Sequence, residues 1–438
     1  MRTRIANVIL TPGVKDDRHI PFVPDAEVLV EQNRIAFAGR REDAPAFEAD
    51  VTIDGQGALA MPGLCNAHTH TPMTLLRSIG SDLPLDRWLN EAIFPVEKHL
   101  TDEAVRAGSD LGILEMLRFG TTSFNDMYMH MDMEAQAVRD SGMRALLGHG
   151  VVDFDGSCDD LLPNLALVEK WNHAADDRIR VSLAPHSEGA TTPAVLARIR
   201  DAAQRYGVPI HIHISETRAD QEGSLARRGL TPLGYLEKLG LLDDPVLAAH
   251  CVWVTPEDIE RIVRYGVTVL HNPVSNLKLA SGVAPVARML EAGCRVALGT
   301  DGVASNNNLN LWEEIKLMPM LQKGVTLDPT VVSPAQTLCA ATYAGAQALG
   351  YRDLGLLKEG WLADLILVDL HQPHMAPAND MESNLVYAAQ GSDVKLTMVD
   401  GQVLYQDGRF LTLDAGLIVE RAKREAAQLL ERAQRAQG

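Results

Sequence analysis

The chain has 438 residues, 46% of them hydrophobic and 22% charged, a soluble globular profile with room for one large domain and an accessory piece. Its formal charge of −18 argues against nucleic-acid or anionic-membrane binding, which need a basic face, and suits a neutral or cationic small molecule. The opening Met-Arg-Thr-Arg-Ile lacks a signal-peptide apolar stretch, and no run of about 18 apolar residues occurs, so a cytoplasmic location is expected.

Residues 1–58 read as short strands, with β-rich runs at Ile5–Leu10, Ala26–Val30, Arg34–Ala38 and Val51–Ile53 between Gly, Pro, Asn and Asp turn signals. Residues 59–362 alternate strand-like and helical stretches. Eight candidate strands lie at Leu59–Asn66, Thr121–Asp126, Ala145–Val152, Ile179–Pro185, Pro209–Ser215, Val246–Val252, Val267–Asn272 and Arg295–Thr300. Most are dense in Val, Ile, Leu and Ala, as strands buried on both faces are. Eight such units, with no G-x-G-x-x-G after the first, predict an α/β fold, a (β/α)8 TIM-like barrel. Residues 363–412 return to the β texture, at Leu365–Val368, Lys395–Val399 and Gln402–Tyr405, with a hairpin turn at Asp400-Gly401. The two strand-rich ends predict one small β-sandwich domain built from both termini, and residues 413–438 a terminal helix.

Polar residues gather at the C-terminal ends of the barrel strands: His68, His70, Asn125, Asp126, His149, His186, His213, Glu216, His250, His271 and Asp301. Those ends form the rim where barrel active sites lie. His68-Thr69-His70 on a strand aims two imidazoles at one point. A catalytic zinc takes about three or four N/O protein ligands and leaves room for water. His211-Ile212-His213 supplies a further histidine and Asp301 a carboxylate; spacing alone leaves the choice between His211 and His213 open. His213 lies nearer the rim, and His211 would sit one layer deeper. The five cysteines, Cys65, Cys158, Cys251, Cys294 and Cys339, are scattered without a C-x-x-C pair and read as reduced core thiols, including Cys65 and Cys251 beside histidines.

Five stretches resemble the ordered motif set of amidohydrolase-superfamily deaminases. They are Pro62-Gly63-Leu64-Cys65-Asn66-Ala67-His68-Thr69-His70, His211-x-His213-x-x-Glu216, Ala249-His250-Cys251, His271-Asn272-Pro273-x-Ser275-Asn276-x-Lys278-Leu279, and Gly299-Thr300-Asp301-Gly302. The pattern is most similar to the branch of 5-methylthioadenosine/S-adenosylhomocysteine deaminases, with triazine chlorohydrolases as relatives. The resemblance implies one zinc per subunit on His68, His70, His213 and Asp301, with His250 beside the metal-bound water. It also implies that Glu97 binds ribose hydroxyls and that His186 contacts the substrate. No lysine lies in Val181–His186, whereas two-metal relatives carry a carboxylated lysine at the end of the fourth strand.

Deaminating an aminopurine needs a hydroxide, a proton for the ring nitrogen and a proton for the departing ammonia. Asp301 is expected to take the water's proton, His250 to orient the hydroxide, and Glu216, three residues past His213, to shuttle protons to the ring and contact it. The excursion Thr71–Leu100 is a candidate lid or extra helix, in which Trp88 could wall an apolar pocket. His271 is as readily structural as functional. His19, His99, His130, His173, His371 and His374 lie off the rim strands and are expected in surface or core roles.

Relatives that handle a homocysteine tail resemble one another in an arginine near the third strand end; His149 is the matching residue here. No arginine occurs from Ala145 to Asp177, a stretch holding Asp153, Asp155, Asp159 and Asp160. These aspartates either repel a substrate carboxylate or merely form a turn. The expected substrate is therefore 5′-methylthioadenosine, ahead of S-adenosylhomocysteine or adenosine, acted on by a homo-oligomer. A triazine-type chlorohydrolase or a guanine-type deaminase would use the same site with other walls, and a non-catalytic scaffold would lack the metal.

Overall fold

The structure, a computed structural model, describes residues 1–15 and 18–437. The strands follow one another as β1 (Arg2–Leu10), β2 (Val23–Glu31), β3 (Arg34–Arg40), β4 (Val51–Asp54), β5 (Leu59–Pro62), β6 (Leu64–Thr69), β7 (Thr121–Tyr128), β8 (Arg144–Val151), β9 (Ile179–Val181), β10 (Ala184–Pro185), β11 (Ile210–Ile214), β12 (Val246–His250), β13 (Thr268–His271), β14 (Arg295–Leu298), β15 (Leu365–Val368), β16 (Val394–Val399), β17 (Gln402–Gln406) and β18 (Arg409–Phe410).

The middle strands form the (β/α)8 barrel. Strands β6, β7, β8 and β10 run parallel in one group, with β9 also on β8, and β11 to β14 run parallel in a second. Parallel bridges Leu183↔Ile210 and Ser187↔His213 join the groups on one side. On the other, the Asp301 amide donates to the His68 carbonyl at 2.9 Å. Residues in β6 and β7 are buried throughout, as both-face packing demands.

The terminal strands form one nine-stranded sheet, in the order β18-β17-β16-β15-β5-β1-β2-β3 with β4 on β1. It encloses its own apolar core, including Ile5, Val28, Leu365 and Met398. The strand expected at Leu59–Asn66 is two strands. β5 pairs with β1 and β15 in the terminal sheet, and β6 alone enters the barrel. Gly63 makes the crossing: a Cβ there would lie 2.2 Å from the Thr122 side chain. The Asp400-Gly401 turn between β16 and β17 has φ of 52° and 75°, the left-handed pair that a two-residue hairpin needs. Beyond it, the helix Ala415–Gln437 packs on Asp102–Arg118, where Arg421 meets Asp110 at 3.4 Å.

Barrel and sheet are tied by a buried ion pair. Arg144, at the start of β8, donates to Asp364 at 3.0 and 3.1 Å and to Asp400 at 3.0 Å, and its guanidinium lies 4.8 Å from the Tyr351 ring centre. Arg144 and Asp364 side chains are each 1% exposed. Removing Asp364 leaves the buried Arg144 charge with Asp400 alone, a loss at the lower end of the about 3–5 kcal/mol that breaking a buried pair costs. Asp364→Ala is therefore expected to lower the urea midpoint by that amount of stability, and an unchanged midpoint would show that the pair does not join the two units.

Candidate metal centre and active site

His68 and His70 come from the end of β6, two residues apart, so both rings face the barrel mouth. Their Nε2 atoms lie 3.4 and 3.2 Å from Asp301 Oδ1. His213, at the end of β11, completes the group, its ring centre 5.0 Å from that of His68. Two sets of potential donors result, His68–His70–Asp301 and His68–His213–His250, each with atoms within 4.8 Å of one another.

The opposite ring nitrogens fix the tautomers. His70 Nδ1–H donates to the Met127 carbonyl, and His213 Nδ1–H donates to the His186 carbonyl at 2.7 Å. His68 Nδ1 is 2.9 Å from His211 Nε2. His68 Nε2 is buried with no protein hydrogen-bond partner. A fully buried imidazole nitrogen left unpaired among three like atoms and a carboxylate is the donor set that a divalent cation satisfies. Between the two histidines left open, the geometry distinguishes clearly: His213 reaches the cluster, and His211 stands behind His68.

Asp301 has φ of 61°, in the left-handed region, and is tied down on every side. Its Oδ2 accepts from Ser275 Oγ at 2.6 Å and Ser305 Oγ at 3.0 Å, and its Oδ1 from the Gly302 amide at 2.7 Å. Burial pushes this carboxyl up, but the His68 and His70 rings facing its Oδ1 outweigh it and hold it well below the usual range. His250, also at positive φ, is held through Nδ1 by Asn276 Oδ1 at 2.9 Å, so its Nε2 faces Glu216 Oε2 at 3.6 Å. Burial raises the pKa of Glu216, whose Oε1 accepts from Ser281 Oγ at 3.1 Å.

The remaining expected site residues divide. His186 packs against His213 with ring centres 4.6 Å apart and planes tilted by 44°, and its Nδ1 is buried without a hydrogen-bond partner among the described residues. Burial lowers its pKa to about 4, so the ring is neutral. Glu97 is buried and accepts from the Tyr128 hydroxyl, whose ring lies 6.3 Å from that of His70. His149 is half-buried at the end of β8, its pKa lowered to about 4 by burial. Trp88 is buried within a short π-helical turn, Trp88–Ile93, and its indole N–H donates to the Ile79 carbonyl, a contact inside the excursion. Asn125 Nδ2 donates to the Ala67 carbonyl, and Asp126 accepts from the Thr71 amide; both brace the β6 end.

Among the described residues, neither Cys65 nor Cys251 joins a metal-capable group. Burial pushes the Cys65 thiol up to about 12 and raises Cys251 further, as inert core thiols. His271 is buried outside the cluster. Five of the six off-rim histidines sit on local partners, such as His130 on Asp102 and His374 on Asp393. Residues that sequence reasoning did not assign are Ser275, Asn276, Ser281 and Tyr128. The first two lie in the His-Asn-Pro motif, but a serine or asparagine gives no titratable signal of its own.

The sequence profile of the amidohydrolase family matches residues 59–404. The chain is 48% identical over 398 residues to a 5-methylthioadenosine/S-adenosylhomocysteine deaminase of Moorella thermoacetica, covering 90% of this chain and 93% of that protein. It is 45% identical over 408 residues to a 5'-deoxyadenosine deaminase of Methanosarcina mazei, covering 92% and 94%. An adenosine deaminase from Xanthomonas campestris with bound zinc superposes with a TM-score of 0.92 at 34% identity, over 98% of both chains. A zinc complex of atrazine chlorohydrolase from Arthrobacter aurescens superposes with a TM-score of 0.89 at 25% identity, over 97% of this chain and 100% of that one. With its barrel, its histidine–aspartate mouth and relatives this similar along nearly their whole length, the chain belongs to the amidohydrolase family.

Proposed function

We propose that the protein is a zinc-dependent deaminase that hydrolyses an adenosine derivative, preferentially 5′-methylthioadenosine, to the inosine analogue and ammonia. The observation that carries this reading is the placement of Glu216 and His250 side by side at 3.6 Å, where His250 shares one donor group with His68 and His213 and His68 shares another with His70 and Asp301. His68, His70, His213 and Asp301 hold one zinc ion. When bound, the metal lowers the pKa of its water to about 7 and so supplies the nucleophile.

The chain's own groups do the proton work. Asp301 Oδ1, kept anionic, accepts the proton released as oxygen adds to C6 of the purine. His250 Nε2, oriented by Asn276, hydrogen-bonds the incoming oxygen. Glu216, buried and with a raised pKa, carries a proton to the ring nitrogen beside C6. Asp301 then passes the proton it holds to the exocyclic nitrogen, and the C–N bond breaks to release ammonia as the C6 hydroxyl becomes the carbonyl and returns its proton to Glu216. In this reading Glu97, which accepts from Tyr128, binds the ribose hydroxyls, and His186, His149 and Trp88 contact the rest of the substrate.

The preference for an uncharged 5′ group rests on missing cations. Asp153 accepts from the Gly156 and Cys158 amides at 2.7 and 2.8 Å and from Thr192, and Asp155 accepts from the Ser157 amide at 2.9 Å, so they build a turn. Of the arginines that follow β11, Arg227 and Arg228 pair with Glu188, and Arg218 pairs with Glu222. A homocysteine carboxylate therefore lacks the bidentate arginine contact that would repay its desolvation.

Elemental analysis should find close to one divalent metal per chain, lost in His213→Ala; two metals, or full retention in the variant, would refute the ligand set. Glu216→Gln keeps its shape but cannot carry a proton, so turnover should fall by about 10²–10⁴-fold with normal metal content. Near-normal turnover there would remove Glu216 from the mechanism. Ammonia release should show a higher kcat/KM for 5′-methylthioadenosine than for S-adenosylhomocysteine, with His149→Arg narrowing the gap. The reverse order, or chloride release from a halogenated triazine at a higher kcat/KM, would overturn the substrate assignment.

A further inference from the structure

One short segment touches all three groups assigned to proton transfer. After β13 the chain turns through the helix Pro273–Lys278 and on to Gly282. Along it, Ser275 Oγ donates to Asp301 Oδ2 at 2.6 Å, Asn276 Oδ1 accepts from His250 Nδ1 at 2.9 Å, and Ser281 Oγ donates to Glu216 Oε1 at 3.1 Å. The segment is braced in turn. The Ser281 amide donates to the Asn276 carbonyl at 2.8 Å, Lys278 Nζ to the Ala304 carbonyl at 2.9 Å, and the Val274 amide to Glu314 at 3.1 Å.

Ser281 differs from its neighbours in what it holds. Ser275 and Asn276 act on side chains already confined by strand ends, whereas Glu216 follows the end of β11 on a long side chain with one other partner, His250. Ser281 is 5% exposed, and the Trp253 indole N–H donates to its carbonyl at 2.6 Å. Trp253 lies on the turn after β12, beyond His250, and is 39% exposed at the mouth. Without the serine hydroxyl, the carboxylate has rotamers that turn it away from the reacting ring.

We propose that Ser281, clamped by Trp253, is a positioning residue that holds the Glu216 carboxylate in the orientation for proton delivery, and that the Ser275–Ser281 segment sets the Glu216–His250 spacing. This rests on the deaminase reading above. Ser281 does not exchange a proton with substrate; it acts through Glu216. Its loss therefore lowers kcat more than it weakens substrate or metal binding, because the contact orients a group that acts in the transition state.

The test is steady-state deamination of 5′-methylthioadenosine by Ser281→Ala, Ser281→Thr and Trp253→Phe, with metal content and thermal midpoint measured on each. Ser281→Ala should lose about tenfold or more in kcat, with KM within about twofold and metal content unchanged. Ser281→Thr, which keeps the hydroxyl, should recover most of that loss. Trp253→Phe, which removes the N–H and keeps a ring, should fall between the two. A wild-type kcat in Ser281→Ala overturns the proposal, as does a kcat loss that Thr does not recover or that tracks lost metal or lost stability. Glu216→Gln separates the two readings. If that variant turns over normally, the deaminase mechanism fails; if it is crippled while Ser281→Ala is not, only the present inference fails.

Discussion

Everything at the barrel mouth follows from placing histidines and a carboxylate where water hardly reaches. Burial disfavours charged imidazole, and it pulls His68 down to about 4 and His213 well below its usual value. A neutral ring has one donor and one acceptor nitrogen, so whatever occupies Nδ1 decides what Nε2 can do. Each ring of the cluster has that choice made for it: by the carbonyls of Met127 and His186, by His211, and by Asn276. His68 then stands in both groups of close donor atoms, with His70 and Asp301 and with His213 and His250. His70 departs from the trend: burial lowers its pKa, but Asp301 and Asp126 outweigh that and raise it to about 9. A cation is what this corner of the site demands, and a divalent ion fills the demand better than a proton.

The barrel supplies the geometry at little cost because its strands already end at the same level. What varies is how each side chain is locked once there. Backbone carbonyls hold His70 and His213, the His211 ring holds His68, and side chains of the segment after β13 hold His250 and Asp301. The division has a physical sense. A backbone carbonyl moves little, which keeps the His70 and His213 rings at fixed distances. A side-chain partner on a loop can be tuned by one substitution, which leaves the setting of His250 and Asp301 open to change.

Much of this was legible in the amino-acid order, for reasons that also explain what was not. Strands buried on both faces announce themselves as apolar runs, so the barrel and the terminal sheet were readable. The break inside Leu59–Asn66 was not, because both halves are equally apolar and Gly63 alone marks the crossing between sheet and barrel. Metal-capable residues at strand ends stood out because imidazoles and carboxylates are few and their spacing is geometric. The choice of His213 over His211 needed coordinates, since both project to the same side of one strand. Ser281 carries no charge and no periodicity, and its partner Glu216 is 65 residues away. Only the folded chain brings them together.

β5 carries a burden that its four residues do not advertise. It is hydrogen-bonded on one side to β1, from the beginning of the chain, and on the other to β15, some three hundred residues later. During synthesis the first of these neighbours is present at once, and the second leaves the ribosome only after the whole barrel has been made. Through that interval an apolar strand offers an unpaired edge, the kind of surface on which nascent chains stick to one another. The terminal sheet is thus a clasp that closes last, and the barrel must fold while its entrance strand is still half-held. Cutting the chain between sheet and barrel would leave that edge open for good, so the accessory strands belong to the catalytic unit as much as the barrel does.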